Sequence, residues 1–349
     1  MDVSLLLSLT DRVPALAVPS AMHPDAWPLG ERLAAWSRSR GLVLGDPDTS
    51  WLGRARCERL AARVLPTADP DRVDLFARWL TWTFALDDMI DEASLAGSAT
   101  AVHALYQDLL RALRRGHARP GARPVESTLV ELWQATSDGM GRDWRRRFLL
   151  HMEEHRAGCA EEAVNRRTGH TPTAAEYPAL RRRACGPYLY DLAEPILGVE
   201  LPGRIMITPA WKVMSEGTAD VIAWTNDVAS YAREAARSES HNHVAVLATT
   251  YGIGPHQAAA MVVDRIAERV EEVRTAARSL PSFLNRMRFT PYERAITKQV
   301  VKVLLDTPRA HLDWVIESGR YNATDDTPTL LPTQRTNRLD ALASLRPHP

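Results

Sequence analysis

Apolar residues recur at three- and four-residue spacing along most of the chain, and strict alternation is nowhere sustained. That period predicts amphipathic helices rather than strands. The helical pattern covers 27–40, 52–64, 71–92, 99–115, 126–164, 174–189, 208–237, 242–250, 255–279 and 290–320. Ala, Leu, Arg and Glu, which favour helices, dominate these segments. The breaks carry turn punctuation, as in "GDPD", "PTADPD", "RPGARP", "TGHTP", "ELPG", "GIGP" and "LPS". Short connections and the absence of a long linker predict a single all-α domain, with two packed helical domains as the other arrangement. The Pro-rich ends, 1–28 and 322–349, read as loosely ordered.

Composition leaves this picture intact and narrows the function. At 349 residues with 45% hydrophobic and 25% charged side chains, the chain can bury a sizeable core. Lys+Arg 43 balances Asp+Glu 43, so no net field attracts nucleic acid or an anionic membrane. Nearly all the positive charge is arginine, since Lys212, Lys298 and Lys302 are the only lysines. Cys57, Cys159 and Cys185 are few and widely spaced, which suits a reducing compartment and neither a disulfide framework nor a zinc ribbon. "MDVSLLLSLTDRVPAL" is a poor signal peptide, and no stretch approaches the roughly 20 apolar residues of a membrane span. The expectation is a cytoplasmic, enzyme-sized protein.

Two polar clusters interrupt the apolar pattern. The first follows "RWLTWTF" and reads "ALDDMID", with Asp87, Asp88 and Asp91. Residues four apart on a helix lie about 40° from one another, so Asp87 and Asp91 share a face and Asp88 sits about 100° round. No Lys or Arg follows at i+4, and Glu92 adds charge near the negative end of the helix dipole. The cluster costs stability unless a cation occupies it, and oxygen-only donors suit Mg²⁺ or another hard divalent ion. A solvated acidic helix end is the plain alternative. The second cluster, "NDVASYARE", spaces Asn226, Ser230 and Glu234 at i, i+4 and i+8, giving one stripe of oxygen donors. An ordinary exposed helix face is its plain alternative. Together the two suggest metals shared with an anionic ligand, because Mg²⁺ completes its shell with water and phosphate oxygens.

The arginine-bearing "EYPALRRRACG" lies between these motifs, and "RY", Arg320–Tyr321, closes "HLDWVIESGRY". In order and separation the four motifs resemble those of the class I terpene synthases, particularly the bacterial terpene cyclases, over most of the chain. The resemblance implies a single-domain class I terpenoid synthase fold, a helical bundle around a central active-site cavity. That domain would span 29–321, between a loosely ordered N-terminal segment, 1–28, and a flexible C-terminal tail, 322–349. It implies a Mg²⁺-dependent cyclase that ionises a linear prenyl diphosphate, cyclises the carbocation and releases diphosphate. Farnesyl diphosphate is the first choice of substrate and geranylgeranyl diphosphate the next.

By the same resemblance three Mg²⁺ ions bind with the diphosphate. Asp87 is the main ligand, Asp88 and Asp91 support it, and Asn226, Ser230 and Glu234 hold the remaining ion. The family's diphosphate sensor is an arginine four residues before a glycine at a helix break. Gly186 therefore selects Arg182, with Arg181 and Arg183 leaving the register open, and the Gly186 carbonyl helps trigger ionisation. Cys185 stands where the family often has Asp, Ser or Thr. Arg233, in a position often held by lysine, joins Arg320 and Tyr321 as diphosphate donors. A carbocation needs an apolar, water-free wall with π-faces, for which Phe84, Trp82, Trp224 and Trp314 are candidates. Homodimers are common in the family, though no pattern in this chain argues for one.

Rival readings are weaker. "HMEEH", with His151, Glu154 and His155, matches an inverted zinc-hydrolase pattern but offers no third ligand. A chain-elongating prenyltransferase would carry a second aspartate-rich motif in place of "NDVASYARE". A non-catalytic helical scaffold would make both oxygen-rich stripes mere surface. Gly252 and Gly254 form a turn before Pro255, "RRGHARPGARP" reads as a solvated loop, and the sequon at Asn322 has no bearing in a cytoplasm.

Overall fold

The computed structural model describes residues 4–43, 50–91, 97–237 and 239–321. Among these every regular element is helical. The first half comprises α1 (Ser4–Arg12), α2 (Ala26–Ser39), α3 (Trp51–Arg54), α4 (Cys57–Val64), α5 (Pro70–Ile90), α6 (Ala99–Arg115) and α7 (Pro124–Ser137). Then follow α8 (Arg142–Thr168), α9 (Tyr177–Ala184), α10 (Ala193–Leu197), α11 (Gly203–Met206) and α12 (Pro209–Ala236). The chain ends in α13 (His243–Tyr251), α14 (Pro255–Arg286) and α15 (Pro291–Glu317), with short 3₁₀ turns at Pro14–Leu16, Pro187–Leu192 and Gly319–Tyr321.

Local chemistry explains the main starts. Asp69 caps α5 by accepting from the Asp71 N–H, and Thr208 caps α12 by accepting from the Trp211 N–H. Thr290 and Glu293 form a reciprocal capping box on α15. In each case proline occupies the first helical position, where its missing N–H costs nothing.

Several boundaries depart from the sequence expectation. The span 126–164 is two helices, α7 and α8, parted at "DGMG" where Gly139 takes φ +78°. The pattern 52–64 is likewise split, because Arg56 adopts a left-handed φ of 51° between α3 and α4. Helix α14, in contrast, runs through the expected break at "LPS". Pro281 is exposed there, so the carbonyl it leaves free can bond water. The N-terminal segment, expected to be loose, contains α1, whose Leu6 and Leu9 are buried and whose Arg12 pairs with Asp264 of α14. A nine-residue helix has little stability alone, and only this burial holds it. The tail expected at 322–349 lies outside the described residues.

Most of the tryptophan builds core rather than cavity. Trp79 and Trp82 of α5 meet Trp133, Trp144, Phe148 and Tyr188 in one aromatic cluster, with Trp133 and Trp144 stacked at 5.8 Å. In this cluster buried indole N–H groups tie down neighbouring segments: Trp79 donates to the Thr136 hydroxyl at 2.8 Å, Trp82 to the Val125 carbonyl at 2.8 Å and Trp144 to that of Asp191 at 2.9 Å. In α15, Pro308 removes the N–H that would bond the Leu304 carbonyl, and Thr218 of α12 donates to that oxygen instead at 3.3 Å.

Helices α8 and α9 approach so closely that only glycine fits between them. A Cβ at Gly158 would lie 2.7 Å from the Ala184 backbone nitrogen. Gly158→Ala is therefore expected to lower stability by about 1–3 kcal/mol, measured by denaturant unfolding. Gly203→Ala, where a Cβ would meet nothing within 4 Å, should leave the midpoint unchanged.

Candidate active site

A cavity of about 180 Å³ opens among α4, α5, α9, α12 and α15. Its wall is mainly apolar, including Leu60, Phe76, Leu80, Phe84, Ile222 and Val303. Asp87 of α5 and Asn226 of α12 both line it, so the two oxygen-rich motifs meet at one hollow. Along α5, Phe76, Leu80, Thr83, Phe84 and Asp87 form a single stripe at i, i+4, i+7, i+8 and i+11. The stripe runs from apolar to acidic, so the acidic ends of α5 and α12 and the C-terminal end of α15 gather at the mouth. These ends carry negative dipoles, which favour cations.

The three aspartates differ in their partners. Asp88 accepts from the Arg320 guanidinium at 2.7 Å, and Asp91 faces Arg166 at 3.3 Å. Asp87 accepts no side-chain hydrogen bond among the described residues; Arg320 is 3.8 Å away. About half of the Asp87 side chain is open at the mouth, yet protein surrounds it. Lost hydration, with Asp88 adjacent, pushes its carboxyl up to about 6, against the pull of Arg320 and Arg181. Lost hydration and then Asp87 push Asp91 up to about 8, with Arg166 opposing. A carboxylate raised in this way and left unbonded is suited to a divalent cation.

On α12, Asn226 Oδ1 accepts from Arg181 at 3.2 Å, and its amide donates to the Tyr321 hydroxyl at 2.7 Å. Ser230 is buried and donates to the Asn226 carbonyl at 2.8 Å, which leaves its lone pairs available. Glu234 accepts from Asn242 at 2.9 Å and pairs with Arg233 at 3.4 Å. The donors are a carboxylate, a hydroxyl and an amide from one helix and carboxylates from another. All are oxygens, and they fit a hard divalent ion whose shell is completed by something other than protein.

Two guanidinium groups at the mouth have spare donors. Among the described residues, buried Arg320 has its Nη1 unbonded and Arg233 its Nε. Arg233 also donates to the Arg320 carbonyl at 3.1 Å. Trp51 of α3 lies under both, with guanidinium carbons 4.7 and 5.0 Å from its ring centroid. The helical pattern drawn from residue 52 left Trp51 out, and nothing local marks it as part of the site.

The sensor assignment needs correction. Arg182 turns away to Asp220 of α12, bonding both carboxylate oxygens at 2.8 Å, and does not line the cavity. Arg181 does line it. Its guanidinium is held by buried Asp227 at 2.9–3.0 Å, which also accepts from the Tyr177 hydroxyl and the His243 N–H. A helical turn allows only one of two adjacent arginines to face inward, and Asp227 selects Arg181. Gly186 does break the helix, at φ +80°, but its carbonyl accepts from the Leu189 N–H at 3.0 Å and does not line the cavity. Cys185 lines the wall and donates to the Arg182 carbonyl at 3.4 Å.

Of the four aromatic candidates only Phe84 lines the cavity. Trp82 belongs to the core cluster, and Trp224 packs edge-on against His243 at 4.8 Å. Trp314 stands behind Phe84 at 5.7 Å and buttresses it. The remaining aromatic surface comes from Phe76 and Tyr190, with His155 and His311. Phe76 was legible in the α5 stripe; Tyr190 was not, since it lies in an irregular 3₁₀ segment.

The zinc reading fails on geometry. Tyr106 occupies one ring nitrogen of His155 at 2.7 Å and the Ala184 carbonyl the other at 3.1 Å, while His151 bonds Asp191 at 2.6 Å. Among the described residues no group of three or more His, Cys, Asp or Glu side chains gathers to hold a metal unaided. Nor is any helix there long and apolar enough to cross a membrane.

Comparison with known proteins agrees with this geometry. Residues 78–272 match the family "Terpene synthase family 2, C-terminal metal binding". The chain is 30% identical over 307 residues to (-)-delta-cadinene synthase of Streptomyces clavuligerus, covering 87% of this chain and 93% of that protein. It is 27% identical over 317 residues to the (-)-beta-caryophyllene synthase of Saccharothrix espanaensis, described as (2E,6E)-farnesyl diphosphate cyclizing, covering 90% of each. The fold matches germacradien-4-ol synthase from Streptomyces citricolor with a TM-score of 0.75 at 22% identity, over 85% of this chain and 96% of that one. With an apolar cavity, oxygen donors at its mouth and a family match over more than half its length, the chain belongs to the metal-binding terpene synthases of family 2.

Proposed function

We propose that this protein cyclises farnesyl diphosphate with three Mg²⁺ ions, releasing diphosphate. The observation that carries the reading is Asp87, a carboxylate without a side-chain hydrogen bond among the described residues, at the mouth of an apolar cavity that Asn226 and Arg181 also line. Asp87 and the stripe Asn226, Ser230 and Glu234 would hold the ions, with Asp88 and Asp91 kept in place by Arg320 and Arg166. Bound there, Mg²⁺ would neutralise the charge that develops on the leaving diphosphate.

The chain's own residues supply the rest. Arg181, Arg233 and Arg320 aim fixed positive charge at the mouth, where diphosphate accumulates charge as the carbon–oxygen bond breaks. Tyr321 donates there while its oxygen accepts from Asn226. Phe84 lines the cavity just below, with the Arg320 guanidinium over its ring at 4.6 Å. The apolar wall keeps water from the cation until rings close. From Phe76 to Asp87 the stripe extends roughly 16 Å along α5, enough for a linear prenyl chain to lie beneath the mouth. A relative described as (2E,6E)-farnesyl diphosphate cyclizing supports the C15 substrate over geranylgeranyl diphosphate. Three free cysteines accord with a cytoplasmic setting.

Incubation with C10, C15 and C20 prenyl diphosphates and Mg²⁺ should yield cyclic C15 products, read by gas chromatography. EDTA, Asp87→Ala and Asn226→Ala should each reduce diphosphate release by about 100-fold or more while the helical circular dichroism persists. Full turnover in both variants would remove the site assignment.

Arg181→Ala and Arg182→Ala separate the two registers. Loss of Arg181 should lower kcat by roughly 100-fold. Loss of Arg182 should chiefly lower stability, because Asp220 keeps only Arg269 as partner. The reverse pattern in steady-state kinetics would restore Arg182 as sensor.

A further inference from the structure

The cavity wall contains one imidazole that takes no hydrogen bond from the described residues. His311 of α15 is 5% exposed, lines the cavity, and makes no hydrogen bond from either ring nitrogen among the described residues. Its ring rests against Trp314 at 5.3 Å. A buried histidine without a partner gives up stability that a hydrogen bond would restore. On α15 the residues that line the cavity run Val303, Leu304, Thr307 and His311 toward the C-terminal end of the helix at the mouth. His311 is therefore the lining residue of α15 nearest the mouth, one turn beyond Thr307.

We propose that His311 is the base that ends the carbocation cascade in the cavity, an inference that rests on the cyclase reading. Its competitors on the wall are all committed or weak. The lone pair of His155 accepts from the Tyr106 hydroxyl, because its other nitrogen donates to the Ala184 carbonyl. Thr307 donates to the Val303 carbonyl and Cys185 to that of Arg182, and hydroxyls and thiols are poor bases. Asp87 and the diphosphate are engaged with the metal ions and arginines at the mouth. Burial holds the His311 imidazole down to about 3, so it is neutral with one lone pair free. Even so, an imidazole is far more basic than the carbon beside a carbocation.

The step balances within the cavity. A C–H bond next to the cationic carbon breaks, its electron pair becomes the second bond of an alkene, and the proton passes to the His311 lone pair. The imidazolium returns that proton to water once product leaves.

The test compares product shares per diphosphate released. In His311→Ala and in His311→Phe, which keeps a ring against Trp314, the main wild-type alkene should fall roughly tenfold or more, replaced by alcohols and by alkenes deprotonated elsewhere. Millimolar imidazole should restore the original alkene in His311→Ala, and thiophene, of similar size but not basic, should not. Unchanged products, restoration by both additives, or restoration by neither would assign His311 to pocket shape and overturn the proposal. Where His311→Ala does not fold, the product shares of His311→Phe decide. Wild-type protein that releases no diphosphate from any C10–C20 substrate would instead sink the cyclase reading beneath it.

Discussion

A carboxylate left without a hydrogen bond beside an apolar hollow is an electrostatic debt, and Asp87 is that group here. Its neighbours are arranged around it rather than to neutralise it. Arg320 reaches past it to Asp88, Arg166 takes Asp91, and Arg181 is held back by Asp227. Three arginines thus stand at the mouth without cancelling the charge that a cation would meet. The negative ends of the surrounding helices add to the same field. Such an arrangement is costly in the folded protein and useful only with charged cargo, cations and an anion together.

That field depends on packing well away from the mouth. Gly158 lets α8 and α9 touch, which sets the height of α9 and so of Arg181. Asp227, buried with Tyr177 and His243, fixes which arginine of α9 turns inward. Behind Phe84 stands Trp314, whose indole N–H bonds the Ala55 carbonyl and anchors the end of α3 against α15. The apolar wall and the charged rim are consequently one construction. A shift in the core would move both.

The site was partly legible residue by residue. Asp87, Asn226, Ser230 and Glu234 stood out because like charges and oxygen donors at helical spacing conflict with an apolar face, a signal that needs no coordinates. Phe84 followed from being one turn before Asp87. Trp82, Trp224 and Trp314 were misjudged for one reason: burial alone does not distinguish a wall facing a cavity from a wall facing core. Arg181 and Arg182 differ by about 100° of helix rotation, and only their partners on α12 decide between them. Trp51 carries no local mark, since its importance comes from two arginines that approach from α12 and the last 3₁₀ turn.

Local rules operate through near neighbours, so helical period, caps and turn residues were readable along the chain, and the all-α class with them. The same locality made "DGMG" and Pro281 ambiguous: whether a glycine or proline ends a helix depends on whether water or a packed helix receives the freed groups. The sequence by itself determined where the oxygen-rich motifs stand and in what order they follow one another. Tertiary structure alone decided which of them face one another across the hollow, that α1 is ordered, and that His311 is left unpaired, because each is the outcome of contacts between residues far apart in the chain.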